Sequence, residues 1–152
     1  MLERYDAALT ALHAEPLAAA DDDHPLTRDW LSVVVGGSQL DREVRGRIVA
    51  AALDDSMAVV PGPEGSFSNR ALEVEVSPDG SLRWTNCGYA PGIGVDTGTG
   101  AVLDDNRTTT SGRGTAVRGA GGSLVVSELW DDEVRVLAPG EPDPCAVGEA
   151  TR

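Results

Sequence analysis

Four groups of side chains in this sequence have the residue types and spacing for chemistry: two cysteines, one Asp-Thr-Gly turn, several paired acids, and a few His and Tyr residues. Cys87, in Arg83-Trp84-Thr85-Asn86-Cys87-Gly88, and Cys145, in Glu141-Pro142-Asp143-Pro144-Cys145, lie 58 residues apart and bracket everything that reads as β-hairpin. They suggest a disulfide, and so an oxidising compartment. Closing a loop of that length stabilises a domain by about 4 kcal/mol when the bridge forms without strain. Two buried free thiols are the alternative, since free cysteine packs as a small hydrophobe. Neither cysteine belongs to a CxxC or Cys/His cluster, so zinc binding and thioredoxin-like chemistry are poor readings.

Asp96-Thr97-Gly98 resembles the active-site turn of retropepsin-like aspartic proteases, in which a dimer brings two carboxylates together so that they share one proton and activate water. Its approach, Tyr89-Ala90-Pro91-Gly92-Ile93-Gly94, reads as poor strand material, with a proline and two glycines. The simpler reading makes Asp96 an Asx-type turn former in a Gly-rich loop. For proton abstraction in a pocket only Tyr5, His13, His24 and Tyr89 are available as partners for a carboxylate, and no base, orienter and donor visibly converge. Asp54-Asp55, Asp104-Asp105-Asn106 and Asp131-Asp132 lack the spaced alternation and closing Glu of a calcium loop and read as solvated turns; no metal or other cofactor is expected. Trp30, Trp84 and Trp130 are core or cavity-wall residues, and the candidates for an aromatic-lined ligand pocket.

Composition narrows the partners. The 152-residue chain holds 12 basic and 25 acidic residues, a net charge of −13, with Arg as the sole basic type besides two His. Such a charge repels phosphate backbones and anionic headgroups, which excludes nucleic acid and direct membrane-surface binding. The Arg, Ala, Gly, Asp and Val bias fits a GC-rich genome or a halophile. With 41% hydrophobic but only 4% aromatic residues, the core must come from Val, Leu and Ala. No stretch reaches the ~18 apolar residues of a membrane span, and Met1-Leu2-Glu3-Arg4 lacks a signal-peptide layout. The cysteines then imply either that a targeting segment preceded this chain or that the protein is cytoplasmic with free thiols.

The elements that must position these groups follow from periodicity. Leu2, Tyr5, Leu9 and Leu12 recur at steps of three and four, predicting an amphipathic helix that Pro16 ends. Asp21-Asp22-Asp23 is a solvated loop before a second helical segment, Leu26 to Val35, with Pro25 at its start and Gly36-Gly37 at its end. A third helix carries Val44, Ile48, Ala51 and Ala52 to Leu53, with Asp41 as its expected N-cap. Beyond Pro61-Gly62-Pro63 the period becomes two: Leu72, Val74 and Val76 alternate with Glu73 and Glu75, Ser77-Pro78-Asp79-Gly80 turns, and Leu82 and Trp84 return. A loop from Gly88 to Gly100 is expected to interrupt the sheet. Thr108 to Arg118 and Leu124 to Val126 then form a hairpin about Gly119-Ala120-Gly121-Gly122, and Val134, Val136 and Leu137 a last strand. The layout is α+β, N-terminal helices packed on a curved antiparallel sheet. A single domain over 1–152 is expected, helical over about 1–56, sheet over about 57–138, with a tail over 139–152 pinned by Cys145.

Several of these segments, in this order, carry a resemblance. Val74-Glu75-Val76, the strand ending in Cys87, Asp96-Thr97-Gly98-Thr99-Gly100-Ala101-Val102-Leu103-Asp104, the hairpin ending in Val125-Val126-Ser127-Glu128, and Cys145 resemble a family of exported actinobacterial proteins, many of them lipoproteins. Those proteins are similar to the SnoaL-like and nuclear-transport-factor-2-like cone folds. The likeness covers roughly residues 24 to 145. Two departures stand out: Gly122-Ser123-Leu124 replaces the usual Gly-Arg-Trp, and no leader with a lipidated cysteine is present, which puts anchoring in doubt.

The resemblance implies an exported or cell-envelope protein, monomer or dimer. Within it the expected role is a noncatalytic binding or accessory domain for a protein partner or a small apolar ligand. The alternatives are an isomerase or hydrolase working in the cone pocket, and a dimeric aspartic protease using Asp96.

Overall fold

A computed structural model describes residues 1–146 of the chain. Among these residues there are three α-helices, one short 3-10 helix and seven strands. Helix α1 (Leu2–Ala14) forms on the Leu2/Tyr5/Leu9/Leu12 stripe, burying Tyr5, Ala8 and Leu12, and stops where Pro16 opens the 3-10 segment Pro16–Ala20. Helix α2 (Pro25–Leu31) has Pro25 in its first turn, where the missing N–H costs nothing, and the Nδ1 of His24 accepts the Leu26 N–H.

Two expectations about the helical half need correction. Helix α2 ends at Leu31 and not at Val35, because Val33 and Val34 leave the helix to meet the sheet: the Val126 N–H donates to the Val33 carbonyl at 2.8 Å and the Val35 N–H to the Val126 carbonyl at 2.9 Å. Helix α3 (Gln39–Asp54) is capped by the Ser38 hydroxyl, which accepts the Asp41 N–H. Asp41 is therefore not the cap. It lies inside the first turn, 3% exposed, where its Oδ1 accepts the Trp30 indole N–H at 2.8 Å and its Oδ2 the Gly37 N–H at 2.8 Å.

The strands divide into two antiparallel sheets where one was expected. The larger has the order β2-β3-β6-β7, with β2 Ser68–Val76, β3 Leu82–Ala90, β6 Thr108–Arg118 and β7 Leu124–Val136. The smaller has the order β1-β4-β5, with β1 Met57–Val60, β4 Ile93–Asp96 and β5 Val102–Asp104. The segment from Gly88 to Gly100 is thus largely strand, contrary to expectation. Pro91 falls between β3 and β4, where it breaks no ladder, and Gly92 and Gly94 fit because a Cβ at either would meet Val59 Cγ1 at 2.6 Å or Met57 Sδ at 3.0 Å. The two short segments expected at Leu124–Val126 and Val134–Leu137 belong to one strand, β7, whose ladder with β6 passes bulges at Ser111/Gly112 and Thr115/Ala116.

Alternation sorts the larger sheet into two faces. Trp84, Ala116 and Val126 point toward the helices and join Trp30, Tyr5 and Leu12 in the main core, where the Tyr5 and Trp30 rings lie 5.2 Å apart. The opposite face carries polar residues over most of its length. At one end it is covered by a second small cluster of Tyr89, Leu137 and Cys145, closed by the Cys87–Cys145 disulfide. Both cysteines are therefore bridged, and the tail is tied to β3.

Glycines on β6 make room for the core side chains. The Trp84 ring lies directly over Gly114, whose added Cβ would come within 2.1 Å of it. Gly114→Ala is expected to push the indole off its site and destabilise the fold by about 2 kcal/mol. Urea unfolding with near-ultraviolet circular dichroism checks this, and a variant with the parent midpoint and tryptophan signal would refute the packing described.

Candidate functional site

The helices do not press flat on the sheet. Between α1, α3 and the inner face of β3, β6 and β7 lies a cavity of about 390 Å³. Its walls follow from the same periodicities that build the core: Leu9 and His13 continue the α1 stripe one turn at a time, and Val44, Ile48 and Ala51 line it from α3. Phe67, in the connection between β1 and β2, packs against the His13 ring with centroids 4.7 Å apart and the ring planes tilted by 42°. The floor is bare where Gly88 stands, since a Cβ there would meet the Thr110 hydroxyl at 2.4 Å. Arg47 and Asp131 contribute the charged groups of the wall.

A polar ladder holds one side of the cavity. The Asp6 carboxylate of α1 accepts the Asn69 backbone N–H at 2.9 Å and its side-chain N–H at 2.6 Å. The Asn86 amide donates to Asn69 Oδ1 at 2.8 Å, and the Trp84 indole to Asn86 Oδ1 at 3.3 Å. This chain links helix α1 to the centre of the sheet and satisfies polar groups that would otherwise be costly to bury. Burial raises the Asp6 carboxyl above its ordinary range, against the lowering by Asn69.

Burial also governs the two titratable rings. It raises the Tyr5 hydroxyl, reinforced by the Asp6 and Asp131 charges. It lowers His13 from the usual imidazole value to about 4, with the Arg47 cation adding to the effect. The cavity wall therefore presents a neutral imidazole and a neutral phenol at neutral pH.

A pH dependence follows for His13. An unfolded imidazole takes its proton near pH ~6.5, the folded one only at about 4. Between these values the unfolded chain binds more protons, so this contribution to stability is complete above the unfolded pKa and is lost as pH falls toward the folded one. His13→Gln is expected to remove on the order of 2–3 kcal/mol of the stability difference between about pH 7 and about pH 4. The raised Asp6 works in the opposite sense but is common to both proteins, so the difference isolates His13. Identical pH profiles for parent and variant in urea unfolding would contradict the assignment.

The residues singled out by the sequence are scattered. Trp30 is 0% exposed and Trp84 4%, both in the core, whereas Trp130 is 45% exposed on the opposite face of the sheet. None of the three indoles lines the helix-side cavity. Asp96 ends β4, and its Oδ1 accepts the Gly98 N–H at 3.0 Å, the Thr99 N–H at 2.7 Å and the Thr99 hydroxyl at 2.8 Å. The Thr99 hydroxyl and then its N–H hold the Asp96 carboxyl below its usual range. Asp104 turns in the same way, accepting the Asn106 N–H at 2.9 Å. His24 caps α2, and Tyr89 contributes to the helix-side cavity wall at its sheet end while its hydroxyl donates to Glu64 Oε2 at 2.6 Å, beside Arg107. Among the described residues, no group of three His, Cys, Asp or Glu side chains is placed to hold a metal ion, and no helix is long and apolar enough to cross a membrane.

Reading along the chain missed Leu9, Phe67 and the Asp6–Asn69–Asn86 ladder as cavity-forming residues. A signal existed for two of them: Asn69 and Asn86 lie in strand-forming stretches where asparagine is disfavoured and needs a partner. The chain matches no family model, no curated protein and no solved structure.

Proposed function

We propose that this protein is an exported, noncatalytic binding domain, of the cone type suggested by its sequence, that takes up a small apolar ligand between α1, α3 and the sheet. The observation that carries this reading is the helix-side cavity of about 390 Å³, a size within the range of ligand sites. Its wall combines Leu9, Val44, Ile48, Ala51 and Phe67 with two ionisable rings held neutral by burial and with one residue of each charge, Arg47 and Asp131, so that it carries no net sign. Such a lining favours an uncharged, largely apolar molecule bearing one hydrogen-bonding group, which His13 or Tyr5 can meet. Export is supported by the disulfide, which persists in oxidising compartments.

Binding is favoured over catalysis because neither His13 nor Tyr5 is hydrogen-bonded to a carboxylate among the described residues, so no base is oriented for proton transfer. The test is titration with the neutral fluorescent probe N-phenyl-1-naphthylamine. The parent protein is expected to bind it with a Kd on the order of micromolar, and Leu9→Trp, which fills the cavity, to weaken binding at least ~10-fold at unchanged far-ultraviolet circular dichroism. Absence of binding to the parent, or equal binding to the filled variant, would overturn the reading. For the location, free thiols in protein isolated from its native source would do the same.

A further inference from the structure

The sheet face turned away from the helices holds a second, larger concavity, an open groove of about 610 Å³. Two adjacent cross-strand rows form it. One runs Glu73, Thr85, Arg113, Trp130 and the next Glu75, Arg83, Thr115, Glu128, each row taking one residue from β2, β3, β6 and β7 in turn. Four strands span about 14 Å. Trp130 presents its ring here, 45% exposed, in a chain whose other two indoles are buried. The Arg113 guanidinium beside it is fixed by Asp132, to which it donates twice, at 3.0 and 3.2 Å. Thr115 contacts both the Ser127 hydroxyl, at 2.6 Å, and Glu128 Oε2, at 3.1 Å.

From this lining we infer that the groove is a carbohydrate-binding face, taking a short neutral oligosaccharide with one sugar ring on Trp130. An apolar ligand would have to strip water from five charged groups without replacing their hydrogen bonds. An anion would meet Glu73, Glu75 and Glu128, and a cation Arg83 and Arg113; the near balance of sign, in a chain of net charge −13, favours neither. A pyranose suits all of these groups. Its C–H face lies against an indole, and its vicinal hydroxyls each donate and accept, matching carboxylates and guanidinium groups set side by side along a strand pair. The rows are long enough for more than one ring, and they are independent of the helix-side cavity.

The test uses maltohexaose, cellohexaose, mannohexaose and chitohexaose as probes, followed by calorimetry and tryptophan emission. At least one is expected to bind with a Kd below about 1 mM and to shift the emission. Trp130→Ala is expected to weaken that binding at least ~10-fold. Arg83→Ala, on the neighbouring row, is expected to weaken it to a smaller extent. N-phenyl-1-naphthylamine binding should be unchanged in both variants, which separates failure here from failure of the cavity reading. The inference is overturned if none of the four sugars binds at about 10 mM, if binding survives both substitutions undiminished, or if the groove instead captures peptides with a Trp130-dependent affinity that the sugars do not compete for.

Discussion

Replacing Cys87 and Cys145 together by serine is expected to lower the unfolding free energy by about 4 kcal/mol, much of the total for a domain of this size. The bridge closes a span of 58 residues, and the loop-closure entropy it removes from the unfolded chain sets most of that figure. It also seats the tail. Cys145 and Leu137 cover Tyr89 on the outer face of the sheet, and the Arg70 guanidinium donates to the Cys145 carbonyl at 2.6 Å. Without the bridge these contacts must be held by a segment rich in Pro, Gly and acidic residues, which has little apolar surface of its own to bury. Urea unfolding of the oxidised parent, the reduced parent and the double serine variant measures the effect. Reduced parent and variant should coincide, and a loss below about 1 kcal/mol in either would show that the tail is held by its other contacts.

Asp41→Ala should have an effect of similar size from a quite different cause. The Asp41 carboxylate is almost wholly buried and accepts the Trp30 indole N–H and the Gly37 N–H, both at 2.8 Å. Arg45 approaches the same carboxylate at 3.8 Å while donating to the Ala19 carbonyl at 2.7 Å. One acidic side chain thus joins α2, α3, the turn between them and, through Arg45, the 3-10 segment. Truncation leaves the buried Trp30 donor without an acceptor, at about 1–3 kcal/mol, and removes the bond to the N–H of the exposed Gly37, worth about 1 kcal/mol, for a total of about 3 kcal/mol. Asp41→Asn keeps one acceptor oxygen and should lose about half as much. In a cycle with Trp30→Phe the two substitutions should be strongly non-additive, because the second removes the donor that the first orphans. Additive losses would mean that the indole does not depend on this carboxylate.

Asp41 also illustrates what a sequence conceals. An acidic residue before an apolar helical stripe is read as an N-cap, since that role needs only local geometry. The cap is Ser38, three residues earlier, and it releases Asp41 to turn inward. Nothing local announces that Trp30, 11 residues away, will present its N–H there. The Gly88–Gly100 stretch misleads for the same reason. Its glycines and proline lower strand propensity, yet the close approach of β1 and β5 makes glycine the residue that fits at Gly94, beside Met57 and Asp104.

Much else was legible. The α1 stripe, the helix stop at Pro16, Pro25 at the start of α2, both hairpin turns and the inward alternation of β3 all follow from one-dimensional rules, because a helical or extended backbone fixes which residues share a face. The disulfide was legible too, as two cysteines with no better partners than each other. These features depend on neighbours along the chain, or on chemistry available to few residues.

The helix-side cavity and the outer groove depend on neither. The cavity lies between α1, α3 and the sheet over a floor that includes Gly88 and Ala90, and its chemistry comes from His13, Tyr5 and Arg47 on two helices and Asp131 on a distant strand. The groove exists because register brings Glu73, Thr85, Arg113 and Trp130 into a single row. Periodicity could say that each of those residues points outward from its own strand, but a bulge shifts the pairing between Ala71 and Glu73 and another between Ser111 and Gly112. Backbone periodicity is a property of the chain by itself, whereas register and interlayer spacing are settled only when the layers pack, and on those two quantities both proposed binding surfaces rest.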